Sequence, residues 1–195
     1  MLCSGQGTNL QAILNACRAG RLKARVAVVI SDRPGAYALR RARRAGIEAC
    51  FIDPKPYAGR AGYERALIKV LAQHQVRVVC LAGFMRILSP VFVRWFKGRL
   101  LNIHPSLLPA FPGAHAVRDA LAWGAKVTGV TVHLVDEQVD HGPILLQEAV
   151  PVRSGEAEAA LLARVHRVEH RLYPLAIQRL LDGRVRLKGR TAVVR

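Results

Sequence analysis

Arg99-Leu100-Leu101-Asn102-Ile103-His104-Pro105-Ser106-Leu107-Leu108-Pro109 is the stretch that decides how the rest of the chain is interpreted. Arg99 to Ile103 predict a short buried strand that ends at about His104, because Pro105 cannot donate to a sheet ladder. Asn102 and His104 then project from one face, at the strand end where open α/β sheets bind ligands. Asn102 offers an amide donor, and His104 a proton carrier near neutral pH. The stretch is therefore either a reactive site or a strand end with a loop-capping histidine.

Strand and helix patterns alternate on both sides of this stretch. Apolar strands are predicted at 26–30, 47–52, 76–81, 127–135 and 143–150, and helices at 36–45, 60–74, 90–96, 114–123 and 156–181. Continuous apolar strands that alternate with helices are typical of a parallel sheet covered on both faces. The last two strands follow one another directly and are open to antiparallel pairing.

The N-terminus reads as the tail of a strand, Met1 to Ser4, followed by the turn Gly5-Gln6-Gly7-Thr8-Asn9 and a helix. Free N–H groups in the first turn of that helix can bind an anion such as phosphate, although an ordinary tight turn has the same sequence. A central strand usually needs about five residues. Either this first strand is short, or the natural start lies upstream of Met1.

Composition indicates one soluble domain. The 195 residues are 51% hydrophobic, enough for a full core. No apolar run approaches the roughly 18 residues that cross a bilayer, and no signal peptide is visible, so a cytoplasmic protein is expected. Cys3, Cys17, Cys50 and Cys80 are scattered without a metal-binding or disulfide spacing, and their apolar neighbours predict buried thiols.

The chain is strongly basic, with 30 Lys and Arg, 13 Asp and Glu and a net charge of +17. Arg40, Arg41, Arg43 and Arg44 lie on one predicted helix. Such a surface attracts nucleic acid or small phosphorylated substrates. Aromatic residues make up only 6%, too few for an evident base-stacking platform. We favour a solvated basic surface over nucleic-acid binding.

Four motifs occur in an order that identifies a family. They are Gly5-Gln6-Gly7-Thr8-Asn9-Leu10-Gln11-Ala12-Ile13, Leu81-Ala82-Gly83-Phe84-Met85-Arg86-Ile87-Leu88, Asn102-Ile103-His104-Pro105-Ser106-Leu107-Leu108-Pro109, and Gly129-Val130-Thr131-Val132-His133 with Asp140-x-Gly142. Together they closely resemble the folate-dependent phosphoribosylglycinamide formyltransferases, also called glycinamide ribonucleotide transformylases. The resemblance covers essentially the whole chain.

The resemblance implies a three-layer α/β formyltransferase fold. Its sheet would be mostly parallel and seven-stranded, with helices on both faces and a Rossmann-like N-terminal half. A single domain would span 1–195, with a mononucleotide-binding-like half at 1–98 and a catalytic and folate-binding half at 99–195. The implied reaction moves the formyl group of the co-substrate 10-formyltetrahydrofolate to the amine of glycinamide ribonucleotide, in purine synthesis and without a metal.

The residues suit that chemistry. Attack of an amine on a formyl carbonyl creates an oxyanion, which Asn102 can stabilise, and His104 can carry the proton. By resemblance, Asp140 is the carboxylate that orients His104. The resemblance also assigns glycinamide ribonucleotide to Gly7, Thr8, Asn9 and Glu169, and the folate to Arg60, Phe84, Met85, Arg86, Ile87, Leu88 and Asn102.

Three histidines need separate comment. His166 stands where the family has glutamine, and His141 stands where it has glycine. His133 belongs to the family pattern, and we expect it to support the site rather than react.

Other functions stay open at this stage. A methionyl-tRNA or sugar-amine formyltransferase, a formyltetrahydrofolate hydrolase, and an inactive module that binds anions or nucleic acid all share parts of the pattern. The expected partners are small-molecule substrates, with no membrane and no nucleic acid, and the chain is expected to be a monomer or a homodimer.

Overall fold

A computed structural model describes residues 1–194. In that range, helices alternate with strands through the first two thirds of the chain. The helices are α1 (Thr8–Arg18), α2 (Tyr37–Arg44), α3 (Gly59–Gln73), α4 (Pro90–Trp95), α5 (Ala116–Trp123) and α6 (Glu158–Leu181). The strands are β1 (Val28–Ser31), β2 (Glu48–Phe51), β3 (Val79–Leu81), β4 (Leu100–His104), β5 (Val127–Leu134), β6 (Ile144–Pro151), β7 (Val185–Lys188) and β8 (Thr191–Val194).

The strands form a mixed sheet. β3 and β4 pair in parallel, and β4, β5 and β6 pair antiparallel in that order. β1 and β2 form a separate parallel pair, and β7 and β8 form a C-terminal hairpin that the sequence analysis did not predict. The α/β class is as expected, but the four-stranded central sheet is mixed rather than mostly parallel.

Of the seven expected strands, the one at the N-terminus is reduced to a single bridging residue. Leu2 bridges Ile30 of β1 on one side and Leu81 of β3 on the other, parallel to both. Met1 to Ser4 therefore link the two parts of the sheet without forming a full strand between them.

Side chains alternate across β4, as predicted. Leu101 and Ile103 join a buried cluster that includes residues of α1, α2, α5 and α6. Leu100 joins the opposite cluster, which includes residues of α3 and α4. Helices thus cover both faces of the sheet. None of the helices within residues 1–194 is long and apolar enough to cross a membrane.

Local sequence explains where several elements begin and end. Ser89 precedes Pro90 and accepts a hydrogen bond from the Phe92 N–H (3.3 Å), which caps the start of α4. Gly124 ends α5 in the left-handed conformation. Among the cysteines, Cys3 and Cys80 are buried as predicted, but Cys17 and Cys50 are only half-buried.

Candidate active site

Two neighbouring strands bring four polar side chains together. Asn102 and His104 of β4 lie directly opposite His133 and Thr131 of β5, respectively. Residues that lie opposite one another in an antiparallel pair share one face of the sheet, and so do alternate residues along a strand. His104, Thr131 and His133 are almost fully buried. The end of β4 is therefore a row of polar groups held out of water.

Asp140 joins this row from the loop between β5 and β6. Its backbone adopts a left-handed conformation, φ 51°, which is uncommon for a residue other than glycine. One carboxylate oxygen, Oδ2, lies 3.3 Å from His104 Nδ1 and accepts a hydrogen bond from the Gly113 N–H at 2.8 Å. The other, Oδ1, accepts from Asn102 Nδ2 at 3.3 Å and lies 3.7 Å from His133 Nε2. We call Asn102, His104, His133 and Asp140 the strand-end cluster.

His133 fixes the orientation of Asn102. The Leu134 carbonyl lies 2.9 Å from His133 Nδ1 and holds the ring in place. Asn102 Nδ2 lies 3.3 Å from the other ring nitrogen, His133 Nε2. The Asn102 amide thus points its N–H groups at Asp140 and His133. Both bonds are long for an amide donor, so the amide can exchange one of them for a stronger acceptor.

His104 has an acceptor beside each ring nitrogen. The Phe111 carbonyl lies 2.8 Å from Nε2, and Asp140 lies beside Nδ1. Burial lowers the pKa of His104 below its ordinary value, although the Phe111 carbonyl and the Asp140 carboxylate act in the opposite direction. Burial therefore favours the neutral ring, and a proton that the ring accepts finds a partner on either side.

The Asp140 carboxyl is held in its charged form. Burial acts to raise its pKa, but the His133 ring, the Gly113 N–H and the His104 ring outweigh burial, and the pKa lies below the usual value. A fixed negative charge beside a neutral histidine favours the arrival of a proton on that ring. The pair can therefore act as an acid–base couple.

The N-terminus of α1 forms a second region of interest. Gly7 adopts φ 69° and packs against Ala38 of α2, where a Cβ would come within 2.8 Å. Gly7 gives α1 no side-chain cap, so the first N–H groups of the helix point outward. Asn9 is buried and donates to Glu169 Oε2 of α6 at 2.9 Å. Burial raises the pKa of Glu169 to about 7.

A cleft of about 290 Å³ opens beside this turn. We call it the cationic cleft; it is lined by Thr8, Gln11, Ala12, Asn15, Arg21, Arg41 and His170. Arg41 is oriented by hydrogen bonds to the Gln6 carbonyl (2.9 Å) and to Gln11 Oε1 (3.1 Å). Within residues 1–194, neither Arg21 nor Arg41 forms an ion pair, and His170 Nε2 is buried without a hydrogen-bond partner. This arrangement can bind an anion.

The predicted folate residues form a third region, mostly exposed. Met85 and Ile87 present large apolar side chains to solvent, with relative exposures of 59% and 65%. Arg86 lies over the Tyr63 ring, with its guanidinium carbon 5.4 Å from the centroid. Leu88, in contrast, is buried in the core. Phe84 is half-buried and packs against the same core.

Internal bonds hold this segment in place. Ser4 Oγ accepts from the Met85 N–H at 3.0 Å, and the Glu64 carboxylate accepts from Ser89 N–H at 2.6 Å. Arg60 lies exposed near the start of α3, and in the described part of the chain no hydrogen bond or ion pair joins it to the other predicted residues. The structure thus brings together Asn102, His104 and Asp140, and separately Asn9 and Glu169, but leaves Arg60 alone.

The two histidines that depart from the family pattern have different settings. His166 stacks on His170, with ring centroids 6.1 Å apart, and burial lowers the pKa of both rings. His141 bonds Asp136 Oδ2 at 2.7 Å, and Arg190 of the C-terminal hairpin donates to the His141 carbonyl at 2.6 Å. The loop that carries Asp140 is therefore tied to the hairpin.

Sequence reasoning missed the Phe111 carbonyl, the Gly113 N–H and the lining role of Arg21, Arg41 and His170. The first two are backbone groups, which leave no signature in the residue types. The basic character of α2 was visible in the sequence, but its position beside the Gly7 turn was not. No cluster of His, Cys, Asp or Glu suited to a metal occurs among residues 1–194.

In comparisons with known proteins, residues 1–177 match the family model described as formyl transferase. The chain is 46% identical over 192 residues to phosphoribosylglycinamide formyltransferase of Escherichia coli strain K12, covering 98% of this chain and 91% of the relative. It is also 46% identical over 187 residues to the trifunctional purine biosynthetic protein adenosine-3 of Gallus gallus, of which it covers 19%.

The fold has a close counterpart among solved structures. Glycinamide ribonucleotide transformylase 1 from Symbiobacterium toebii superposes with a TM-score of 0.97 at 52% sequence identity. The match covers 99% of this chain and 91% of that structure.

Proposed function

The chain belongs to the formyl transferase family, and from that premise we propose that it transfers the formyl group of 10-formyltetrahydrofolate to the amine of glycinamide ribonucleotide (5-phosphoribosylglycinamide), in de novo purine biosynthesis. The proposal agrees with the names of the relatives at 46% identity. The observation that carries it is the meeting of Asn102, His104 and Asp140 at the end of β4. 10-Formyltetrahydrofolate is a co-substrate in this proposal, and no metal takes part.

The reaction begins when the substrate amine attacks the formyl carbon. A carbon–nitrogen bond forms, and the carbonyl oxygen becomes an oxyanion. Asn102 donates to this oxyanion by giving up one of its 3.3 Å contacts with Asp140 and His133. Loss of such a donor typically costs about 3–4 kcal/mol of barrier. His133 has the supporting role of holding the amide in the orientation that presents its N–H groups.

Proton transfer completes the step. Burial lowers the pKa of His104 and so favours the neutral ring, which can accept the proton that leaves the attacking amine. The charge of Asp140 stabilises the imidazolium that forms. The bond between the formyl carbon and folate N10 then breaks, and N10 receives the proton. His104 thus acts first as the base and then as the acid.

The phosphorylated substrate is proposed to bind at the Gly7, Thr8, Asn9 turn, with Glu169 beside it. A phosphate suits the uncapped start of α1, where free N–H groups and the helix dipole both favour an anion. The cationic cleft adds Arg41 and His170 next to Thr8. These groups account for selection of a phosphorylated amine.

The folate is proposed to bind along residues 84–88, with the Met85 and Ile87 side chains and the backbone of Arg86 and Leu88 against the pterin. Exposed apolar side chains on a segment held by internal hydrogen bonds are suited to cover a flat ring. Arg60 is proposed to meet the carboxylates of the folate tail, which its exposed guanidinium can do without breaking an ion pair.

We further propose that residues 1–195 form one domain, with halves at 1–98 and 99–195. The β3–β4 pairing crosses this boundary, and the Tyr173 hydroxyl donates to the Leu81 carbonyl at 2.7 Å. A cytoplasmic location, a monomeric or dimeric state, and the lack of a nucleic-acid partner are parts of the same proposal.

Turnover of purified protein tests the reaction. 10-Formyltetrahydrofolate and glycinamide ribonucleotide are mixed with the chain, and formation of tetrahydrofolate and formylated product is followed by absorbance and mass spectrometry. Formyl transfer that requires glycinamide ribonucleotide supports the proposal. Release of formate without the amine would assign a hydrolase instead, and transfer to methionyl-tRNA or to an amino sugar alone would assign one of those formyltransferases. RNA binding with steep salt dependence and no turnover would assign a binding module.

A further inference from the structure

The loop over the strand-end cluster is attached to the sheet at a point that the mechanism does not use. This overlying loop, residues 105–113, supplies both the Phe111 carbonyl beside His104 Nε2 and the Gly113 N–H that bonds Asp140. Phe111 adopts φ 50° and Gly113 φ 95°. Two backbone groups that face the reacting residues therefore depend on one irregular segment for their position.

Two side chains of neighbouring strands hold the base of the overlying loop. Thr131 of β5 is fully buried, and its hydroxyl donates to the Ser106 carbonyl at 2.7 Å and accepts from the Leu108 N–H at 3.1 Å. Gln147 of β6 donates from Nε2 to the Leu108 carbonyl at 2.8 Å and to Thr131 Oγ1 at 2.9 Å. All four bonds have good donor–acceptor distances.

Strand register explains why these groups meet. His104 lies opposite Thr131, and Thr131 lies opposite Gln147, so the three form one row across β4, β5 and β6. The same row thus carries the reacting histidine at one end and the attachment of its loop at the other. Within the loop, Ser106 Oγ donates to the Ala110 carbonyl at 2.5 Å, which passes the constraint on to the residue before Phe111.

Packing leaves little freedom for the loop to settle elsewhere. The Leu107 side chain lies on Gly129 of β5, where an added Cβ would come within 2.5 Å of it. Gln147, in contrast, is exposed, so a change of this residue opens no cavity in the core. A substitution of Gln147 should therefore change the position of the loop and leave the stability of the sheet unaffected.

We propose that Gln147, acting through Thr131 and the overlying loop, is a positioning residue that holds the His104 ring in a single tautomer. The inference rests on the proposed function. The Phe111 carbonyl lies 2.8 Å from Nε2, closer than Asp140 Oδ2 lies to Nδ1 (3.3 Å), so in this proposal the neutral ring carries its proton at Nε2 and accepts a second one at Nδ1. When the two Gln147 bonds are lost, the loop shifts, the Phe111 carbonyl leaves Nε2, and the two tautomers mix. A displacement of about 1 Å in such a group can cost about a hundredfold in rate.

The test replaces Gln147→Met, which keeps the length of the side chain and removes both donors. The matched control is Gln73→Met, at an exposed position near the end of α3. We expect kcat to fall by about tenfold or more, with KM for both substrates within about threefold of wild type. Gln73→Met keeps wild-type values.

The tautomer of His104 is read from the ¹⁵N chemical shifts of the imidazole ring in the unliganded protein, which needs no turnover. Wild type is expected to show one Nε2–H tautomer above the ring pKa, and Gln147→Met a mixture. Thr131→Ser, which retains the hydroxyl, keeps the wild-type spectrum, whereas Thr131→Val reproduces the mixture. An unchanged spectrum in Gln147→Met overturns the inference whether or not kcat falls, and so does a kcat within about twofold of wild type. If wild type itself does not turn over, the proposed function fails while the ring spectra still decide the positioning role.

Discussion

The strand-end cluster and the cationic cleft differ in burial and in hydrogen bonding: the cluster lies at the ends of β4 and β5, and the cleft is lined by residues of α1, α2 and α6 and by Arg21. In the cluster, His104 and His133 are almost fully buried, and each has a hydrogen-bond partner. In the cleft, Arg41 is half-exposed and His170 Nε2 lacks a partner among the described residues. In the proposed function, the first region carries out the reaction and the second binds the phosphorylated substrate. Changes in the cluster should therefore act on kcat, and changes in the cleft on KM.

The largest effect is expected for His104→Ala. This change removes the proton carrier, and general acid–base catalysis typically contributes about 10²–10⁴-fold. kcat should fall by that factor while KM for both substrates changes by less than about fivefold. His74→Ala, which removes a surface contact between His74 Nε2 and Glu48 (3.5 Å), is the matched control and should leave steady-state rates unchanged. A large rise in KM at wild-type kcat would place His104 in binding instead.

Asp140→Asn should have the next largest effect, about 10²-fold in kcat. The change should also shift the pH dependence of kcat in a defined direction. The Asp140 charge raises the pKa of His104, so its removal lowers that pKa further. A neutral His104 then persists to lower pH, and the acidic limb of the kcat profile moves downward in pH. A limb that stays in place or moves upward would contradict the assignment of Asp140 as the electrostatic partner of His104.

Arg41→Gln tests the other side of the comparison. It removes a cation from the cleft but keeps a polar side chain, and a hydrogen bond to a charged group contributes about 1.5–3 kcal/mol. KM for the phosphorylated amine should rise by about tenfold or more, with kcat within about twofold. Arg43→Gln, on the same helix but outside the cleft lining, is the matched control. Equal effects of the two changes would indicate only a general loss of positive charge.

The last prediction concerns the stability of the fold and its dependence on pH. Glu169 has a pKa of about 7 in the folded protein because it is buried, above its usual value of about 4.3 in an unfolded chain. Its contribution to stability is fully present below the unfolded pKa and is lost as pH rises through about 7. Denaturant unfolding should show a loss of about 1–3 kcal/mol between pH 5 and 8 that is smaller in Glu169→Gln. An identical pH dependence in both proteins would show that Glu169 is ionised at little cost.

The order and limits of most elements were predictable from sequence. The helix predicted at 36–45 is Tyr37–Arg44, and the strand predicted from Arg99 to about His104 is Leu100–His104. Apolar runs and the turn residues that bound them carry this information locally. The family was also identifiable from the spacing of its motifs, and the matches to the family model and to the relatives confirm it.

Other features depended on contacts that no local pattern records. The mixed pairing of the sheet follows from how β5 and β6 return beside β4, and Leu2 bridges β1 and β3 as a single residue. The C-terminal hairpin was not predicted, because its strands are short and mostly exposed. The catalytic and binding roles of the site residues stay predictions.

The sequence by itself determined the α/β class, the two residues at the end of β4 and the family, because alternation along a strand and the spacing of motifs are properties of the chain alone. Only the tertiary structure decided what surrounds them. It placed Asp140, 36 residues beyond His104 in the chain, 3.3 Å from the ring, and it put the Phe111 carbonyl on the other ring nitrogen. Backbone groups have the same chemistry in every residue, so only the folded path of the chain gives them a specific partner.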